Sequence, residues 1–346
     1  MFTPNEYINA SMAFLTYAGE SFAVDSNTIF KTAQYLNEIL PTYPHLNNDW
    51  QIVWGPALYC SDALEKHQAN LTFVAQSRSD PSNYIVATRG TISDNLWEWL
   101  VEDFDAHFTA WVTPEPITPT AYISQATMTA LKIVLNTVPS TATPAGYAPL
   151  PQAGVSLVDY LARIIQENSA VNLQFTGHSL GGAIAAGLAL WFKQTQGTTP
   201  LPHNDIYHPM PLWDKNAVAK LSCVTFAGAS LGEKVFNRYF EQHFGNNYVR
   251  VYNTNDVVPH GFAELHKLPN LYGPKIRMNF AERLSLGTLQ SIVNIEQCRV
   301  RSTYENLPNP KPFTCPIESL LPFYGAQLGF QHINAYQQLF KLPANI

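Results

Sequence analysis

Six residues constrain this 346-residue chain more than any other stretch: Gly177-His178-Ser179-Leu180-Gly181-Gly182. They match G-x-S-x-G. They also lie between a short apolar run that reads as a strand, Val171–Thr176, and a small-residue run that reads as a helix, Ala183–Lys193. A serine on a strand-to-helix turn projects from strained backbone, and the glycines around it let neighbouring backbone approach closely. The helix that follows aims its N-terminus, with its partial positive charge, at the place where an oxyanion would develop. Ala183, Ala185, Ala186 and Gly187 remove bulk, so that helix can lie tight on a sheet.

The same strand–helix rhythm runs on either side. Leu221–Phe226 reads as a buried strand, Leu231–Phe244 as a helix and Tyr248–Tyr252 as a third strand. Upstream, Tyr7–Tyr17 and Ile29–Leu40 have helical patterns, the second stopped by Pro41, and Leu71–Ala75 and Tyr84–Thr88 are β-rich. Ala126–Leu135 and Val155–Gln166 read as helices, separated by a Pro/Thr/Ala-rich loop, Pro139–Ala153. Short apolar strands alternating with helices predict an α/β fold with a mostly parallel central sheet covered on both faces. Gly261–Gln327 fits the rhythm poorly and is expected to be a cap or insertion on a single domain. The last helix is expected at His332–Phe340.

Composition narrows the function. Charged residues are 13% of the chain and 46% are apolar, which excludes a charged disordered protein. The net charge of −6 and the lack of any dense basic run leave no electrostatic footprint for nucleic acid. Cys60, Cys223, Cys298 and Cys315 are too few and scattered for a disulfide scaffold or a CxxC metal site, although Cys298 and Cys315 flank a Pro-rich loop and could bridge. Met1–Gly19 lacks the basic start and continuous apolar stretch of a secretory signal. The most apolar stretch, Ala183–Phe192, is far shorter than the ~20 residues of a membrane-spanning helix. A soluble enzyme is expected, either cytoplasmic or exported by a route without such a signal.

A serine hydroxyl needs a base to take its proton, and in this kind of fold the chain order is Ser, then Asp or Glu, then His. His178 adjoins Ser179 but is expected to point away from it across the turn. The downstream histidines are His203, His208, His243, His260, His266 and His332. Asp256 lies just beyond the end of the Tyr248–Tyr252 strand, where the orienting carboxylate belongs. His332 suits a residue folding back over the strand ends, but this logic alone leaves it one of several, with His260 the runner-up.

Four segments together resemble the class 3 lipase family, the fungal-type branch of the α/β-hydrolases. Tyr84-Ile85-Val86-Ala87-Thr88-Arg89-Gly90-Thr91, followed by Asn95-Leu96-Trp97-Glu98-Trp99-Leu100, is similar to its strand ending in an R-G-[ST] loop and a Trp-containing segment. Phe175–Gly182 is similar to its nucleophile turn. Val224-Thr225-Phe226-Ala227-Gly228-Ala229, with Asn255-Asp256-Val257-Val258-Pro259, resembles its T-F-G-x-P and N-x-D-x-V-P, with Ala229 where the family commonly has Pro. His332-Ile333-Asn334-Ala335-Tyr336 resembles its H-x-x-x-Y.

The resemblance implies an α/β-hydrolase fold and Ser179, Asp256 and His332 as nucleophile, acid and base. It implies Thr91 and Leu180 as oxyanion-hole donors, and no metal or cofactor. It also implies a candidate lid at 92–112, where Trp97, Trp99, Phe104, Phe108 and Trp111 would make an amphipathic helix, while the candidate cap at 261–328, read from the broken rhythm, departs from the family pattern. Ordinary core packing explains both segments as well. The implied activity is hydrolysis of lipid carboxylic esters, as in a triacylglycerol lipase or carboxylesterase, on a substrate presented at a lipid–water interface. The alternatives are a phospholipase A1 or galactolipid acyl hydrolase with the same motifs, and an inactive hydrolase fold used as a binding module.

Overall fold

Apolar runs with alternating faces hydrogen-bond into one seven-stranded sheet. A computed structural model of the chain describes residues 1–61, 67–90, 97, 105–113, 117–168, 170–198 and 212–344. The strands are β1 (Trp50–Ser61), β2 (His67–Ser77), β3 (Asn83–Arg89), β4 (Phe108–Ala110), β5 (Tyr122–Ser124), β6 (Asn172–His178), β7 (Lys220–Phe226), β8 (Gly232–Glu233), β9 (Tyr248–Asn253), β10 (Tyr304–Glu305) and β11 (Pro310–Phe313). The large sheet has the order β1-β2-β3-β6-β7-β9-β11, and β10-β8-β5-β4 form a smaller one. Strands β1 to β3 pair antiparallel, whereas β3, β6, β7, β9 and β11 run parallel. Parallel neighbours need crossovers, and the chain supplies helices for most of them.

The helices are α1 (Pro4–Leu15), α2 (Thr28–Ile39), α3 (Gln125–Asn136), α4 (Leu157–Glu167), α5 (Leu180–Gln194), α6 (Lys234–Phe244), α7 (Phe280–Val300), α8 (Tyr324–Gly329) and α9 (Ala335–Phe340). Both faces of the sheet are covered, which is why its strands are apolar on both sides. In β3, Ile85 and Ala87 join the cluster that contains Phe14 of α1 and Phe340 of α9. Tyr84 and Val86 join the opposite cluster, with Leu131 of α3, Leu161 of α4, Ile184 of α5 and Phe240 of α6. Every residue of α5 except Lys193 is buried. A helix so enclosed needs small side chains, and its Ala and Gly residues provide them.

Five elements depart from the sequence reading. The long strand β1 carries Gly55-Pro56, a turn signal, but it is an edge strand, where a proline costs few ladder hydrogen bonds. Pro310-Lys311-Pro312-Phe313, inside the expected insertion, is the opposite edge of the large sheet, and the same tolerance applies. The insertion also contains α7, of 21 residues, opened by a capping box between Asn279 and Glu282. The expected helix at Leu231–Phe244 begins at Lys234, because Gly232–Glu233 pairs in the small sheet and the Glu233 carboxylate caps the helix. Residues 108–110, expected to be helical, are β4. Pro139–Ala153 has no regular helix or strand, as its composition predicts. All four cysteines are free, so Cys298 and Cys315 are not bridged.

Phe240 ties α6 to the sheet: it is fully buried, with its ring 5.1 Å from Phe244 and 4.8 Å from Tyr248. Phe240→Ala is expected to cost about 3–5 kcal/mol, read as a lower urea midpoint with an unchanged m-value. A loss below 1 kcal/mol would mean that this contact is not part of the cooperative core.

Candidate active site

The turn after β6 is built by backbone contacts that no side chain could share. A Cβ at Gly177 would collide with the Gly181 carbonyl and lie 2.6 Å from Thr88 O; one at Gly181 would collide with Thr88 O and lie 2.9 Å from Arg89 Cα. A Cβ at Gly182 would lie 3.0 Å from Phe226 O. The glycines therefore let α5 start directly on the ends of β3, β6 and β7. Ser179 occupies the turn with φ 60° and ψ −132°, a strained conformation for a residue with a side chain, and its N–H donates to Phe226 O at 3.0 Å. Leu180 is the first helical residue, where a backbone N–H has no acceptor within the helix. Thr91 lies outside the described residues, as does most of 92–112.

Ser179 Oγ is 2.8 Å from His332 Nε2, and His332 Nδ1 is 2.9 and 3.0 Å from the two carboxylate oxygens of Asp256. These side chains come from three places in the sequence. Asp256 follows β9, and His332 lies in a single π-helical stretch, Phe330–Asn334, between α8 and α9. Such a bulge re-aims a side chain without ending the helix. Ser179 is 8% exposed, His332 1% and Asp256 not at all. His260, the runner-up, is occupied elsewhere, with Nδ1 2.6 Å from Glu264 Oε2 and Nε2 3.0 Å from Thr254 O. His243 bonds Tyr239 O within α6, His266 is exposed, and His203 and His208 lie outside the described residues.

The carboxylate is itself held. Asp256 Oδ1 accepts the Val258 N–H at 3.0 Å, and Oδ2 accepts the Tyr336 hydroxyl at 2.9 Å. Tyr336 OH in turn accepts the Asn253 N–H at 2.9 Å. Burial and the neighbouring Asp256 charge push the Tyr336 pKa well up, so the phenol keeps its proton and stays a donor. Tyr336 stands one turn after His332, a spacing visible in the sequence.

His178 points away from the Ser179 hydroxyl, as expected, but it is not idle. Its Nε2 lies 2.8 Å from the backbone oxygen of His332, and its Nδ1 lies 3.1 Å from the Tyr17 hydroxyl. A neutral ring with Nε2–H donating to the carbonyl and Nδ1 accepting from the phenol satisfies both contacts. Burial, with a smaller contribution from nearby His332, holds its pKa well below 6.5. Sequence reasoning missed this contact, since nothing local marks Tyr17 or the His332 carbonyl as partners.

Buried acid, base and hydroxyl in one hydrogen-bonded line can pass a proton from Ser179 to His332 and stabilise the imidazolium that results. Among the described residues, no group of three or more His, Cys, Asp or Glu side chains is arranged to hold a metal ion.

The family model for Lipase (class 3) matches residues 85–266, more than half of the chain. The chain belongs to the class 3 lipase family. It is a hydrolase of lipid carboxylic esters, and its mostly parallel sheet is that of an α/β-hydrolase. Among solved structures, M37 lipase is similar over 99% of this chain and 94% of its own, with TM-score 0.83 and 23% identity, so the fold extends beyond the matched range to the segment that carries His332. Yarrowia lipolytica LIP2 lipase (TM-score 0.48, 14% identity, 74% of this chain and 73% of that one) and Rhizomucor miehei triacylglyceride lipase (0.45, 18%, 74% and 73%) are more distant. No curated protein matches by sequence. Among the described residues, no helix is long and apolar enough to cross a membrane.

His178 links this site to stability. Its folded pKa is depressed, so the unfolded chain binds the extra proton first. The neutral ring therefore contributes fully above about pH 6.5, and stability falls as the pH drops from there toward the folded value. His178→Gln is expected to lower stability at pH 8 and to flatten its decline between pH 7 and 5, measured by urea unfolding. Parallel pH profiles for the two proteins would refute this account of His178.

Proposed function

We propose that Ser179, His332 and Asp256 are the nucleophile, base and orienting acid of this lipase, and that it acts on acylglycerols through an acyl-enzyme. The observation that carries the reading is the unbroken line Ser179 Oγ–His332 Nε2 and His332 Nδ1–Asp256, at 2.8 and 2.9 Å. His332 takes the hydroxyl proton as Ser179 Oγ attacks the ester carbonyl. Asp256 keeps Nδ1 protonated and stabilises the imidazolium. The Leu180 N–H, at the first position of α5, and Thr91 receive the developing oxyanion; one such donor is worth about 3 kcal/mol. The tetrahedral intermediate collapses as His332 protonates the leaving alcohol. Water, activated by the same histidine, then releases the acid and restores Ser179. Segments 92–112 and 261–328 are assigned to shaping access to this line.

Hydrolysis of p-nitrophenyl esters from C2 to C16, and of emulsified triglyceride, tests the reading. Ser179→Ala is expected to lower kcat by ~10⁴-fold or more at unchanged thermal stability. A preference for long chains, with a rise in rate above the solubility limit, supports a lipase working at an interface. Retained activity in the variant would remove Ser179 as nucleophile. A wild type active only on phospholipid or galactolipid would replace the acylglycerol assignment.

Tyr336→Phe removes one donor to a buried carboxylate, a hydrogen bond worth roughly 1.5–3 kcal/mol. If that bond strengthens as positive charge develops on His332, kcat falls about tenfold or more while KM changes little. A change confined to KM would instead assign Tyr336 to substrate binding.

A further inference from the structure

Helix α7 buries one face, with Leu286, Leu289 and Val293, and leaves another apolar face bare. On it Phe280 is 82% exposed and Leu284, one turn on, 63% exposed. Single exposed apolar residues are ordinary, but a pair at i and i+4 in the first turns of a helix is a continuous patch. Its surroundings are cationic. Between Tyr272 and Leu284 the sequence has three cations, Lys275, Arg277 and Arg283, and one carboxylate, Glu282, in a chain whose net charge is −6.

That carboxylate is already engaged: Glu282 Oε2 accepts the Asn279 N–H at 2.7 Å in the box that caps α7. The cations are exposed, and among the described residues none of the three has an ion-pair partner within 4.0 Å. Arg277 donates only to its own loop, from Nε to Pro274 O at 2.9 Å, and Arg283 lines the same open groove of ≈ 550 Å³. Nearby, Leu320 and Phe323 are 84% and 74% exposed. Gly325, two residues after Phe323, faces the Glu282 carboxylate, so the start of α7 adjoins α8, which runs directly into the His332 stretch.

An apolar pair that can enter the acyl boundary, on a helix start and preceding loop that carry cations without ion-pair partners, is complementary to an anionic bilayer surface. We propose that the start of α7, with Phe280 and Leu284 inserted and Lys275, Arg277 and Arg283 at the surface, docks this enzyme on membranes rich in anionic phospholipid. This deepens the lipase reading, since a docked α7 holds the His332 segment beside the lipid. It commits to a place of adsorption, not to the headgroup of the molecule cleaved.

Co-sedimentation with vesicles tests it, using the Ser179→Ala full chain so that no lipid is consumed. Vesicles of phosphatidylcholine alone are compared with equal mixtures of phosphatidylcholine and phosphatidylglycerol, at 50 and 500 mM salt. Binding is expected to favour the anionic vesicles by tenfold or more and to fall steeply at high salt. Adding Arg277→Ser with Arg283→Ser is expected to weaken it by about thirtyfold, at ~1 kcal/mol per cation near the surface. Phe280→Ser with Leu284→Ser should weaken it by tenfold or more.

Each pair is also made in the wild-type background, where kcat/KM on a soluble short-chain p-nitrophenyl ester should be unchanged, which reports that the fold is intact. Equal binding to both vesicles, or binding insensitive to both pairs of substitutions, would overturn the proposal. So would a dimer in sedimentation velocity that Phe280→Ser with Leu284→Ser dissociates, with no vesicle binding, because a second copy would then cover the face. The salt dependence of the unsubstituted patch needs no variant to fold. A wild type without ester activity that still binds anionic vesicles would sink the catalytic reading and leave this one standing.

Discussion

The close crossing of α5 over the ends of β3 and β6 is the contact on which the rest of the structure depends. Gly177 and Gly181 meet with no room for a Cβ on either, and Thr88 O of the neighbouring strand fills the remaining space. The approach forces Ser179 into positive φ and aims the start of α5 at its hydroxyl. It also explains why α5 is so rich in Ala and Gly: any larger surface would lift the helix from the sheet and carry the turn with it. The strain at Ser179 is held because its N–H bonds to Phe226 O and α5 is enclosed on nearly every side.

A second constraint supports the first from the opposite direction. His332 must reach Ser179 from a segment 153 residues later, and three anchors hold that segment to the sheet. Asn253 Nδ2 donates to Gln331 O at 3.0 Å, the Asn253 N–H donates to Tyr336, and His178 bonds the carbonyl of His332. All three anchors flank the acid or the serine in sequence. The ends of β6 and β9 thus lead directly into Ser179 and Asp256 and also fasten the segment that brings His332 to them. Burial makes the arrangement demanding, since an unpaired polar group here would cost far more than at the surface.

The regions that frame this core show where local pattern misleads. Pro310–Phe313 reads as part of a Pro-rich loop because proline opposes strand pairing, yet it is an edge strand where one side of the ladder is open. The polar, weakly amphipathic α7 is hard to see by periodicity, although Asn279 and Glu282 write its beginning into the sequence as a capping box. Phe108 and Trp111, which a helical wheel would place on a lid, are buried, and Phe108 belongs to a strand of the small sheet. An aromatic stripe says that a surface will be covered. It does not say by what.

Local chemistry decided what could be read in advance. The alternation of apolar strands with helices, the G-x-S-x-G turn and the position of Asp256 past a strand end follow from interactions within a few residues, and they determine the fold class and where Ser179 and Asp256 stand in it. The choice of histidine was different. His260 and His332 are equally plausible by residue type, and only the packing of α8 and α9 against β9 brings one of them to Ser179 while Glu264 and Thr254 engage the other. Tyr336 and His178 acquire their roles in the same way, from hydrogen bonds that span 80 and 154 residues. Contacts between segments so far apart depend on where whole elements come to rest, and that position is set by the burial of both sheet faces at once rather than by any local run of sequence.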